Sequence, residues 1–234
     1  MRAALLLALL LGIAGGAAGE ALLGVPPQPG QVAAGRAVAA GGGQQGQAGA
    51  CFRCHGFAGA AQDAAGFPAI GGMSAEYLHE QLRRYASGER RNDIMSPIAS
   101  ALTPAQMRDV AVFYAVQPVP PATGIALADP ALLQHGAILS ASGSAESGIQ
   151  ACQNCHGPAG IGIWPFYPRL AGQPAAYLAA QLRAWKTGER QGVEPWRSMQ
   201  TIAQRMSDRD IEAVALYFAS IPVGTAPRGV GVLQ

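Results

Sequence analysis

Apolar residues recur at helical spacing along most of the chain, and no stretch shows the strict alternation of a half-buried strand. Tyr77, Leu78, Leu82 and Tyr85 fall on one helical face, with Ser74 placed to cap its start and Gly88 to end it. Tyr177, Leu178, Leu182 and Trp185 repeat that face between Pro174 and Gly188. Asp129-Pro130 reads as N-cap and first helical residue ahead of Ala131 to Leu139, with a first-half equivalent over 31–40. Thr103-Pro104-Ala105-Gln106, a capping-box pattern, opens a further helix, and Ser207-Asp208-Arg209-Asp210 opens another. The expected fold class is all-α.

The same elements expose an internal repeat. A shift of 101 residues lays Gly35 on Gly136 and Cys51 on Cys152. At 100, Pro68 meets Pro168, Gly72 meets Gly172, and Gly88-Glu89-Arg90 meets Gly188-Glu189-Arg190; Tyr77-Leu78 and Gln81-Leu82 also find identical partners. At 104, Met95 meets Met199 and Pro118 meets Pro222, which puts a four-residue insertion around 192–195. The Pro-rich join over 117–124 favours extended backbone, so the expected units are 20–122 and 123–234.

Composition narrows the function classes. Half of the 234 residues are hydrophobic, which excludes a disordered chain. The formal charge of +2, without basic runs among aromatics, gives no reason to expect nucleic acid. Residues 1–19 read as a signal peptide: Arg2, an apolar run over 4–14, then Ala17-Ala18-Gly19 before Glu20. The expectation is export to the periplasm. A retained N-terminal anchor with loose membrane association is the alternative, because small residues extend the run toward spanning length.

Exported cysteines first suggest disulfides. Here the four stand as Cys51-Phe52-Arg53-Cys54-His55 and Cys152-Gln153-Asn154-Cys155-His156, each C-x-x-C-H. That string attaches c-type haem: two thiols within one turn of chain add to the two vinyl groups, and the adjacent His reaches the iron. Redox C-x-x-C pairs need no following His, and zinc sites gather four ligands rather than two sets of three a hundred residues apart. Two covalently bound haem c groups are expected, with His55 and His156 as one axial ligand each. Met95 and Met199 are the Met pair that coincides in the repeat, and they are the expected second ligands, placed in loops and facing inward. Core filling is the other use of Met, and it suits Met107 and Met206 better, since their repeat partners are Ile211 and Leu102. His79 and His135 lack His partners and read as ordinary surface or packing residues.

With these residues in place the chain resembles the dihaem class I cytochromes c of the cytochrome c4 type. The likeness rests on the two C-x-x-C-H-Gly strings, Pro168-Arg169-Leu170-Ala171-Gly172-Gln173, the repeated Tyr-Leu-x-x-Gln-Leu, the Gly-Glu-Arg turns and the paired Met. The first half departs from it at Pro68-Ala69-Ile70-Gly71-Gly72-Met73 and at a Gly/Gln-rich insertion over 41–47, read as a flexible loop. The resemblance implies two tandem class I cytochrome c domains about a pseudo-twofold axis. It implies that the Pro68 and Pro168 carbonyls accept the imidazole N–H of His55 and His156, and that Gly35 and Gly136 let helices close on Phe113-Tyr114 and Tyr217-Phe218. It also implies a non-enzymatic carrier of single electrons, from a quinol-oxidising cytochrome complex toward a terminal oxidase. A dihaem subunit accepting electrons from a periplasmic dehydrogenase would use the same residues and stands as the alternative.

Overall fold

The computed structural model describes residues 26–60, 66–122, 128–191 and 197–223. The 1–19 segment expected to be a signal peptide, the 192–195 insertion and residues 123–124 of the inter-half join lie outside the described residues.

Among the described residues ten α-helices form two sets of five in the same order. The first half has α1 (Pro29–Gly41), α2 (Phe52–His55), α3 (Ala75–Ser87), α4 (Met95–Ser100) and α5 (Pro104–Ala115). The second has α6 (Pro130–Ser142), α7 (Gln153–His156), α8 (Ala175–Thr187), α9 (Arg197–Arg205) and α10 (Asp208–Ser220). Among the described residues the only β pairing is two isolated bridges, Ser144 with Ile149 and Ile163 with Tyr167.

Local chemistry sets the helix ends. The Ser74 hydroxyl accepts the Tyr77 N–H and Gly88 closes α3 in the left-handed region at φ 80°. Thr103 with Gln106, and Ser207 with Asp210, make reciprocal capping boxes at α5 and α10. Asp129 caps α6 through the Ala131 N–H.

Each half has its own apolar core. Val38, Leu78, Met107, Val110 and Phe113 gather in the first, and Leu139, Leu178, Met206, Ile211 and Phe218 in the second. Met107 and Met206 are thus core residues, as expected. The first and last helices of each half cross closely, α1 on α5 and α6 on α10. Gly35 lies against Asp109 and Phe113, and Gly136 against Ala213 and Tyr217. The close contact therefore falls on Phe113 and Tyr217 rather than on the neighbouring aromatics Tyr114 and Phe218.

The 41–47 stretch is not an open loop. Gly42 turns the chain at φ 72°, and 3-10 turns kinked at Gly46 fill 43–49. Gln45 Nε2 donates to the Pro97 carbonyl at 2.7 Å, tying the segment to α4. The second half does the same with different residues: Arg205, at the end of α9, donates to the Gly148 carbonyl at 2.6 Å.

The halves meet through α3 and α8 and the turns after them. Arg90 donates to Gln81 Oε1 (2.7 Å) and, across the interface, to Gln181 Oε1 (2.6 Å). Arg190 donates to Gln181 Oε1 (2.9 Å) and, across it, to Gln81 Oε1 (3.1 Å). This reciprocity is what a twofold relation between the halves requires. Each guanidinium also stacks on its own half's aromatic ring, Arg90 on Tyr85 and Arg190 on Trp185, both at 4.5 Å.

Candidate functional site

Each Cys-containing string folds into one helical turn. The His55 N–H donates to the Cys51 carbonyl at 2.9 Å, and the His156 N–H to that of Cys152 at 2.9 Å. Gly56 and Gly157 then stop the turns in backbone that other residues rarely adopt, at φ 68° and 75°. Cys51 and Cys54, three residues apart, share a face, as do Cys152 and Cys155. None of the four forms a disulfide, and all are half-buried.

Burial, with the second thiol nearby, pushes Cys51 up to about 11, and Cys152 likewise to about 11. A redox C-x-x-C pair needs the opposite, a thiol pKa lowered toward neutrality. Nor do three or more His, Cys, Asp or Glu side chains converge as a metal cage among the described residues.

Both imidazoles are buried and held alike. His55 Nδ1–H donates to the Pro68 carbonyl at 3.0 Å and His156 Nδ1–H to that of Pro168 at 2.8 Å. Because a carbonyl can only accept, Nδ1 carries the proton and Nε2 carries the lone pair that a metal takes. Burial lowers both pKa values, the proline contact opposing it, so both rings are held neutral. Phe67 and Tyr167 stand edge-on to the rings, with centroids at 6.2 and 6.3 Å.

The proline loops are themselves anchored. Gly59 accepts from the Ile70 and Gly71 N–H groups, and Gly160 from those of Leu170 and Ala171. The Gly72 and Gly172 N–H groups reach the last helices, at the Tyr114 and Phe218 carbonyls. Each His is thus oriented by a loop pinned to the half's own core.

Met95 and Met199 are half-buried and do not lie in loops. Met95 opens α4 and Met199 is the third residue of α9. The cause at Met95 is a side-chain cap: Asn92 Oδ1 accepts the Ile94 (3.1 Å) and Met95 (2.9 Å) N–H groups, and Ser96 Oγ accepts that of Asn92 (3.0 Å). Pro97 does not break the helix because first-turn N–H groups have no partner inside it. His135 pairs with Asp210 at 2.6 Å, a packing role.

The donor set fits haem c: paired neutral thiols on one turn, a neutral imidazole with Nε2 available, and an apolar surround, all present twice. The interface adds buried cations. Arg90 is 5% exposed and Gln81 6%, and Gln81 Nε2 is a buried donor without an acceptor. The arginine–glutamine ring was legible only as repetition, because Gln81, Arg90, Gln181 and Arg190 recur without any motif to give them a role.

Comparison with known proteins agrees with this chemistry. The family described as "Cytochrome C oxidase, cbb3-type, subunit III" matches residues 145–218. A thiosulfate dehydrogenase electron acceptor from Thiomonas intermedia is 41% identical over 76% of this chain and 81% of its own. Cytochrome c4 from Pseudomonas aeruginosa is 34% identical over 86% of this chain and 93% of its own. The crystal structure of reduced cytochrome c4 from Pseudomonas stutzeri superposes with a TM-score of 0.70 at 30% identity, over 81% of this chain and 98% of that one.

Proposed function

We propose that this chain, which belongs to the dihaem cytochrome c4 family, works in the periplasm as a shuttle between a quinol-oxidising cytochrome complex and a terminal oxidase. It is a dihaem c-type electron carrier that exchanges electrons with redox partner proteins. The observation that carries the reading is the duplicated His–proline arrangement, two equivalent Cys- and His-bearing turns joined through one buried interface.

Bound haem supplies the one-electron couple. In the proposal the chain divides near 122 and 123 into one unit per haem, and Cys51, Cys54, Cys152 and Cys155 fix the two groups covalently. His55 and His156 present Nε2 to iron, while Pro68 and Pro168 hold the rings and raise their basicity. Met95 and Met199 give the thioether ligands, which favour the reduced state and raise the potential. Two protein ligands per iron leave no position for a substrate, which favours a carrier over an enzyme. Arg90 and Arg190 offer cations suited to the carboxylates that haem brings.

The relationship to the thiosulfate dehydrogenase electron acceptor favours a second reading of the donor, a periplasmic dehydrogenase. A redox titration of the haem-loaded protein tests the site. Two haems at positive potential, both showing the far-red ferric Met–iron band and inert to carbon monoxide, are expected. A low-potential haem without that band overturns the double His/Met assignment. Reduction rates with a quinol-oxidising complex, and with thiosulfate plus its dehydrogenase, separate the two donors.

A further inference from the structure

The proximal loops of the two halves differ at two positions. Ala69 stands where the second half has Arg169, and Met73 where it has Gln173. Both second-half residues reach across the interface to the first-half loop. Gln173, 1% exposed, accepts the Ala69 N–H on Oε1 at 3.0 Å and donates from Nε2 to the Ala69 carbonyl at 2.6 Å. Arg169 Nη2 donates to the Gly71 carbonyl at 3.3 Å.

The Ala69 N–H and the Pro68 C=O belong to the same peptide group. The Pro68 carbonyl accepts from His55 Nδ1–H at 3.0 Å. A hydrogen-bond chain therefore runs from the Gln173 amide oxygen through the Pro68–Ala69 peptide to the His55 imidazole. Acceptance at the peptide N–H moves electron density onto its carbonyl oxygen, and bonds in such a chain strengthen one another. Met73, buried in the first half's core, bears a thioether with no N–H and only weak acceptor strength. It cannot return the contact, so this amide bracket acts in one direction only.

We propose that Gln173 is a positioning residue for the first haem, acting from the opposite half: it strengthens the Pro68–His55 hydrogen bond and lowers the potential of haem 1 without touching it. The sign follows from the ligand. A stronger acceptor at Nδ1–H makes the imidazole more basic, and a more basic ligand favours ferric iron. The inference rests on His55 as an axial ligand of haem 1. It makes the interface a source of asymmetry between two otherwise repeated sites.

The test compares wild-type, Gln173→Met and Gln173→Leu as haem-loaded full chains. Both haem potentials are measured by spectroelectrochemistry, with haem signals assigned by NMR through their attached cysteines. In either variant the ferrous-to-ferric ratio of haem 1 at a fixed applied potential should rise about threefold, roughly 30 mV at 59 mV per tenfold. Haem 2 should stay in place, and the His55 Nδ1–H resonance should move while that of His156 does not. Equal shifts in both haems, or a lowered melting temperature with both potentials unchanged, assign Gln173 a purely structural role and overturn the proposal. If wild-type haem 1 is not low-spin and His-ligated, the axial assignment itself fails, a separate result. Should neither variant load haem, hydrogen exchange on the wild-type protein decides: the Ala69 amide must be protected, and fast exchange overturns the proposal.

Discussion

Replacing Gly136 with alanine tests the closest helix crossing in the second half. A Cβ there falls 2.2 Å from the Ala213 carbonyl oxygen and 2.7 Å from Tyr217 Cβ. Both neighbours belong to α10, so no flexible side-chain end can yield. The helix must retreat by about 1 Å to restore ordinary contact. Overpacking of this kind costs up to about 3 kcal/mol. Alanine returns about 1 kcal/mol through its better helix propensity. The net loss is about 2 kcal/mol, a fall in melting temperature of about 8–16 °C for a unit of this size. Two controls separate space from backbone. Gly88 has φ 80° but nothing within 4 Å of a Cβ, so Gly88→Ala should cost only about 1 kcal/mol through the left-handed conformation. Gly30 has open space and ordinary helical backbone, so Gly30→Ala should be neutral or stabilising by up to about 1 kcal/mol. The assay is thermal and urea unfolding of the haem-loaded protein, followed by circular dichroism and haem absorbance. A Gly136→Ala protein as stable as Gly30→Ala would refute the close-packing argument.

Other outcomes follow from the same contacts. Arg90→Met removes one of the two guanidinium donors to each of the Gln81 and Gln181 amide oxygens, Arg190 remaining as the other, at about 1.5–3 kcal/mol per bond to a charged group, and should split unfolding into two transitions; one unchanged transition counts against the ring as the joint. Burial raises the Asp210 pKa, but hydrogen bonds from Ser207 and His135 more than offset it and hold the carboxyl below its ordinary value. Its contribution is therefore full above that ordinary value and lost as pH falls through the depressed native one. Asp210→Asn keeps an acceptor for the Ser207 N–H but removes the negative charge from the helix N-terminus, so it should flatten this acid limb and cost about 0.3–1 kcal/mol, as read by urea midpoints across pH. Changing all four cysteines to alanine removes haem attachment, and each half of about a hundred residues is small for a self-sufficient core; far-UV circular dichroism should show an unfolded chain. Cations and anions are nearly balanced, 16 against 14 in the full sequence, so partner turnover should depend only weakly on ionic strength. A steep fall with salt would point to charge-steered docking.

The legible part of the protein is the part written in neighbours along the chain. C-x-x-C-H states its chemistry within five residues. Ser74 with Gly88, and Thr103 with Gln106, mark helix ends because capping is a contact across one turn. Repetition at a near-constant offset showed two units, and it singled out Met95 and Met199. The Asn92 cap that places Met95 on a helix is equally local, but Ser96-Pro97 pointed the other way. What only the tertiary structure decided is how the halves face one another. Ala69 and Gln173 are 104 residues apart, and neither residue type hints at the other. The Arg90–Gln181 and Arg190–Gln81 contacts depend on the relative rotation of α3 and α8. Local sequence determines a turn because its few dihedral angles are set by the residues it contains. The interface comes from two surfaces finding complementary donors and acceptors, and that match is a property of the folded pair.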